Sequence, residues 1–221
     1  LPYCWTARGL SDLMRKLLLI FLLALAAVSF GCNSGSGKSS TSAGSPAIKK
    51  DVQPVGDPEI AVIEMEQPVY GTIKIELYSN IAPKMVARFK ELAKEGVYDG
   101  VTWHRVNQSV IQSGDPLSKD NDPSNDGTGK SNKPNVEAEF SDIPYDTGIV
   151  GAARGSDNNS ANSQFFITLK REPGFDQRYT IFGKVIDGMN NVRTIAGVQP
   201  KEGERPVEPI RIRSIRIEPR N

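Results

Sequence analysis

Across residues 69–78 (VYGTIKIELY) the chain alternates. Val69, Gly71, Ile73, Ile75 and Leu77 fall on one side; Tyr70, Thr72, Lys74, Glu76 and Tyr78 fall on the other. A period of two is that of a strand with one buried face. In residues 82–96 (APKMVARFKELAKEG) the period lengthens. Met85, Val86, Phe89, Leu92 and Ala93 form one stripe at helical spacing, Pro83 suits a first turn, and Gly96 supplies a stop. Shorter apolar stretches predict strands at 101–106, 109–113, 148–153, 164–169, 179–186 and 208–217. Met189, Val192 and Ile195 predict a second short helix over 188–196. In residues 210–217 (IRIRSIRI) Ile210 and Ile212 share one face while Ile215 and Ile217 would share the other, and a bulge near Ser214 would keep all four inward. About eight short strands and two helices favour a mainly β domain over 58–219, closed into an antiparallel barrel, over a parallel sheet.

The first 57 residues have a different texture. Arg15 and Lys16 precede an apolar run, Leu17–Phe30, which ends at Gly31-Cys32. A charged, then apolar, then small-residue order is that of a signal peptide, here 14–31. The run has 14 residues, short of the roughly 20 that a membrane span needs. Met14 sits just before the charged pair, so residues 1–13 are expected to lie upstream of the true start. The sequence "SFGC" resembles the lipobox of bacterial lipoproteins, which implies lipidation at Cys32 and an exported protein held at a membrane of the cell envelope. Residues 32–57 are rich in Ser, Gly, Lys and Pro and predict a flexible linker. A random coil of this length reaches about 25–30 Å. The "GSGKSS" within it is not a phosphate loop, because the position that requires the first glycine is Cys32.

Composition narrows the chemistry. Lys and Arg number 27 against 26 Asp and Glu, so there is no basic excess to hold nucleic acid. Both cysteines, Cys4 and Cys32, precede residue 33, and His104 is the single histidine. The folded part therefore has no internal disulfide, no Cys nucleophile, and no Cys- or His-rich metal site. A Ser–His hydrolase could use only His104, and no serine is framed as its partner. Arg105, Gln112 and Gln164 stand out instead, each a polar side chain among apolar ones in "WHRV", "VIQSGD" and "SQFFITL". The plain expectation is that they face solvent on the outer side of the barrel, since an unpartnered polar group is costly to bury.

Three blocks, "WHRV…VIQSGDP", "GIVGAARGSDNNSANSQFFITL" and "FDQRYTIFGKVIDGM", resemble in this order the cyclophilin-type peptidyl-prolyl isomerases, and most closely their bacterial branch. The resemblance spans about 60 to 219. It implies a closed eight-stranded antiparallel β-barrel capped by two α-helices, a monomer that acts on proline-containing polypeptides, and no cofactor. Position by position, Arg105 matches the catalytic arginine. Val110, Gln112, Phe166 and Phe175 match the substrate pocket, Ala153 and Arg154 the backbone-binding segment, and Gln164 the glutamine beside the arginine. Tyr179 stands where the animal enzymes have a histidine. His104 matches a neighbour that the family does not use for chemistry. Two departures are visible. The family's "RV-x-P-G-F-V-I-Q" is here "RVNQSVIQ", one residue shorter, with Ser109 in place of the aromatic floor residue. Gly174 replaces the tryptophan that matters for cyclosporin in the animal enzymes. The shortened turn also leaves room for a non-catalytic peptide-binding or chaperone module on the same fold.

Overall fold

A computed structural model describes residues 46–198 and 204–220. The signal peptide, Cys32 and the first part of the linker lie outside the described residues.

The alternating stretch forms β2 (Thr72–Leu77), with Ile73, Ile75 and Leu77 fully buried. Val69 and Gly71 do not belong to it. A 3-10 turn, Pro68–Tyr70, ends at Gly71, whose φ of 60° lies in the left-handed region that favours glycine. The helical stripe forms α1 (Pro83–Lys94), and all five predicted apolar residues are buried. Ala82 offers no side-chain cap, but the Glu139 carboxylate accepts from the backbone N–H groups of Lys84 (3.2 Å) and Met85 (3.0 Å). A carboxylate there meets the positive end of the helix dipole. The second helix, α2 (Met189–Ala196), buries Val192 and Ile195.

Among the described residues the remaining strands are β1 (Glu59–Met65), β3 (Arg105–Val106), β4 (Val110–Ser113), β5 (Ile149–Ala152), β6 (Phe165–Thr168), β7 (Ile181–Asp187) and β8 (Ile212–Pro219). β1 has no counterpart in the periodicity. Its residues Ile60 to Ile63 are all buried, and a strand covered on both faces shows no alternation. In β8 the register shifts opposite Glu64 and Met65, where Ser214 and then Ile212 are the partners. This is the expected bulge. Ile210, Ile212 and Ile215 are buried, and Ile217 packs against the core.

All strand pairs are antiparallel, in the order β3-β4-β6-β5-β7-β2-β1-β8. The expected closed barrel is not formed: the sheet is open and curled, with β3 and β8 as its edges. β3 is only two residues long and supplies too short a ladder to close the ring. The edges approach through the segments that precede them. There Thr102 and Arg211 form one antiparallel bridge, flanked by Trp103 N–H to Ile210 O (2.9 Å) and Ile212 N–H to Val101 O (2.8 Å). Inside the curl, Phe89 of α1 meets Tyr98, Phe165 and Phe182 at ring-centroid distances of 5.2–5.4 Å.

The ordered domain begins before the expected boundary at 58. Lys49 pairs in parallel with Ser141, and its ammonium donates to Ile81 O (2.6 Å). Asp57 accepts from Ser79 N–H (3.1 Å) and Lys90 Nζ (2.7 Å). A Ser/Gly/Pro-rich composition does not reveal such single anchoring residues.

Candidate active site

Register builds the site. Arg105 pairs with Gln112 across β3–β4, Gln112 with Phe166 across β4–β6, Phe166 with Gly151 across β6–β5, and Gly151 with Ile181 across β5–β7. Cross-strand partners share a face of the sheet. The neighbouring row, Val106, Ile111, Ile167 and Val150, points into the core and is buried. Arg105 and Gln112 therefore face away from the core, as polar strand residues should. A second apolar cluster lies on that same outer face. Tyr78, Ile81, Val110, Tyr145, Ile149, Phe166 and Ile181 form its buried part, with Ala153, Phe175 and Tyr179 packed against it.

A cleft of about 170 Å³ opens there, lined by Arg105, Val110, Gln112, Ala153, Arg154, Phe166, Phe175 and Tyr179. Thus eight of the nine site residues expected in the folded part converge. Phe166, Phe175 and Tyr179 wall it edge to face, with centroids 5.2–5.6 Å apart. These walls stand without the aromatic floor residue that the shortened turn lacks. Arg154 is held in place by neutral partners. Its guanidinium donates to the carbonyls of Gly155 (2.8 Å) and Arg178 (2.9 Å), and its Cζ lies 4.7 Å from the Tyr179 ring centroid.

Gln164 is the ninth residue and lines an adjoining hollow of about 260 Å³, shared with Gln112, Ala153, Arg154 and the 127–130 loop. Its Nε2 donates to Gly127 O (3.0 Å) and Gly129 O (2.8 Å), which turns its Oε1 to accept from Gln112 Nε2 (2.9 Å). The loop carbonyls are held in turn by Asp115, whose carboxylate accepts from the N–H groups of Leu117, Gly127 and Gly129. This relay fixes the Gln112 amide and leaves its Oε1 and second N–H for a ligand. A hollow of about 390 Å³ near the Thr102–Arg211 seam holds none of the expected residues. Size alone does not select the site; convergence of an arginine, an oriented amide and aromatic walls does.

His104 is buried beneath this surface, and neither ring nitrogen has a hydrogen-bond partner. Burial pushes its pKa down to about 4, so it is neutral at physiological pH and does not line the cleft.

Three contributors escape sequence reasoning. Tyr145, fully buried, stacks under Phe166 at 5.7 Å. It comes from a loop without periodicity. Gly151 is the row partner over which the Phe166 ring lies, and only the spacing within β5 hints at it. Glu204 forms an ion pair with Arg105, Oε2 to Nε at 2.5 Å, and comes from the irregular stretch before β8. Among the described residues no group of three or more His, Cys, Asp or Glu could hold a metal ion.

Comparison with known proteins places the domain in a family. The family model "Cyclophilin type peptidyl-prolyl cis-trans isomerase/CLD" matches residues 61–217. A Brucella suis protein named "Probable peptidyl-prolyl cis-trans isomerase" is 44% identical over 144 residues, covering 63% of this chain and 72% of its own. A peptidyl-prolyl cis-trans isomerase of Schizosaccharomyces pombe is 37% identical over 160 residues, 69% of this chain and 96% of its own. The structure is similar to a Cryptosporidium parvum cyclophilin-type isomerase crystallised in the presence of the dipeptide Ala-Pro, with a TM-score of 0.65 and 29% identity over 73% of this chain and 99% of that one. The family match over residues 61–217, most of the folded domain, makes the chain a member of the cyclophilin-type peptidyl-prolyl cis-trans isomerase family.

Proposed function

We propose that the chain accelerates cis–trans rotation about X–Pro bonds with Arg105 as the catalytic residue. Rotation about a peptide bond is opposed by a barrier of about 18–20 kcal/mol, because the nitrogen lone pair is shared with the carbonyl. In the twisted transition state that lone pair returns to nitrogen, which becomes pyramidal and basic. A guanidinium N–H aimed at the nitrogen then bonds better than in either planar isomer, and such differential binding accelerates the step. Arginine stays charged throughout the physiological range. Phe166, Phe175, Tyr179 and Val110 hold the prolyl ring, and Gln112, oriented by Gln164, with the backbone at Ala153 and Arg154, holds the flanking peptide. No bond is made or broken, so no cofactor enters the scheme.

The observation that carries this reading is that Arg105 and Gln112 share one cleft with three aromatic walls on the outer face. The related structure obtained with Ala-Pro supports a proline-bearing ligand. We further infer an exported protein, anchored through lipid on Cys32, that serves envelope or secreted polypeptides and acts as a monomer. The lipobox-like "SFGC" and the preceding apolar run support the export and the anchor. A protease-coupled assay on a short X–Pro peptide tests the activity. A rate that rises in proportion to added protein is expected. Peptide binding with no acceleration would instead make the domain a non-catalytic peptide-binding module, a reading favoured by the altered turn at Asn107, Gln108 and Ser109.

A further inference from the structure

Arg105 is half exposed and lies on an edge strand of two residues. An arginine in that setting has many rotamers and little to choose between them. The single side-chain hydrogen bond it makes among the described residues is from Nε to Glu204 Oε2, 2.5 Å. The other carboxylate oxygen, Oε1, accepts from Asn107 Nδ2 at 3.0 Å. Asn107 is itself fixed, because its Oδ1 accepts from the N–H groups of Ser109 (2.8 Å) and Val110 (2.9 Å). Those bonds close the shortened turn and start β4, which carries Val110 and Gln112 into the cleft. Glu204 also has φ of 66°, a left-handed conformation uncommon for a side chain without local compensation. Such backbone outliers persist where the surroundings over-determine them.

From this arrangement we propose that Glu204 is a positioning residue: together with Asn107 it clamps the Nε edge of Arg105, so that both Nη groups are presented to the substrate. The proposal rests on Arg105 being the catalytic residue. It gives the departure from the family turn a role. Asn107 joins the turn that shapes the pocket to the carboxylate that aims the arginine. The N–H of Arg105, followed by that of Asn107, holds the Glu204 carboxyl below its usual range, so the clamp is charged at neutral pH.

Exposed ion pairs are worth little, so the effect is modest: Glu204→Ala should lower kcat/KM by about 2–5-fold, chiefly in kcat. Glu204→Gln retains an acceptor for Nε and should recover most of the loss. The decisive measurement is a double-mutant cycle in the coupled X–Pro assay, with folding checked by circular dichroism. In an Arg105→Ala background, Glu204→Ala should change nothing further. An equal loss in both backgrounds would mean that Glu204 acts through general structure and would overturn the proposal. A wild-type or higher rate for Glu204→Ala would also overturn it. If Arg105→Ala itself keeps the wild-type rate, the catalytic assignment fails first, a result distinguishable from failure of the clamp alone.

Discussion

Gly151 and Phe166 are cross-strand partners on the outer face, and a Cβ built on Gly151 would overlap the Phe166 ring and stand 2.6 Å from Tyr145 Oη. The ring that walls the proline cleft therefore lies flush on the sheet because one position beneath it has no side chain. Tyr145 completes the support, fully buried with its hydroxyl unpartnered.

Gly151→Ala should push Phe166 into the cleft. Overpacking of this kind costs about 1–3 kcal/mol. A lower denaturation midpoint and a raised KM for X–Pro peptides are expected, measured by urea unfolding and the coupled assay. Wild-type values of both would show that the ring is not seated as described.

His104 makes a pH prediction. Its folded pKa is about 4, against about 6.5 when unfolded. Between those values the unfolded chain binds more protons, so stability falls as pH drops from about 6.5 towards 4. The full loss is on the order of 3 kcal/mol. Urea midpoints of the wild type and His104→Gln, compared from pH 7 to 5, should show a shallower pH dependence in the variant. Parallel curves would mean that the imidazole is not buried uncharged.

Much of this architecture was legible because period and burial coincide. The stripe of α1 and the alternation in β2 each have one buried face, so apolar spacing reports them directly. β1 is covered on both faces and loses its alternation. Closure of the sheet depends on how many residues of β3 and β8 face each other, which pattern does not encode. At the site, the block resemblance supplied Arg105, Gln112 and the aromatic walls. Their supports, Tyr145, Gly151 and Glu204, come from a loop, a residue without a side chain and an irregular stretch. These positions acquire meaning only when distant segments meet.

Gly174 bears on cyclosporin. A Cβ there meets nothing within 4 Å, and its φ is not positive, so a large side chain can be accommodated. The wild type should bind the drug weakly, and Gly174→Trp should tighten binding by about tenfold or more, since an indole adds area and an N–H donor. Isothermal titration measures this. Equal affinities would show that position 174 does not meet the drug.

Cys32→Ser tests the anchor. Loss of the thiol should move the protein out of the membrane fraction or leave it unprocessed at higher mass. Identical fractionation of wild type and variant would exclude lipidation at this cysteine.

The most direct test is kcat/KM of Arg105→Ala on an X–Pro peptide, with fold integrity followed by circular dichroism. A hydrogen bond to a charged group, worth about 1.5–3 kcal/mol, formed mainly in the transition state, predicts a loss of roughly 10–150-fold. Arg105→Lys should rescue poorly for lack of the planar fork of donors. The wild-type rate should be nearly flat from about pH 6 to 9, where arginine does not titrate. A folded Arg105→Ala enzyme with wild-type kcat/KM, or a bell-shaped profile abolished in His104→Gln, would contradict the assignment.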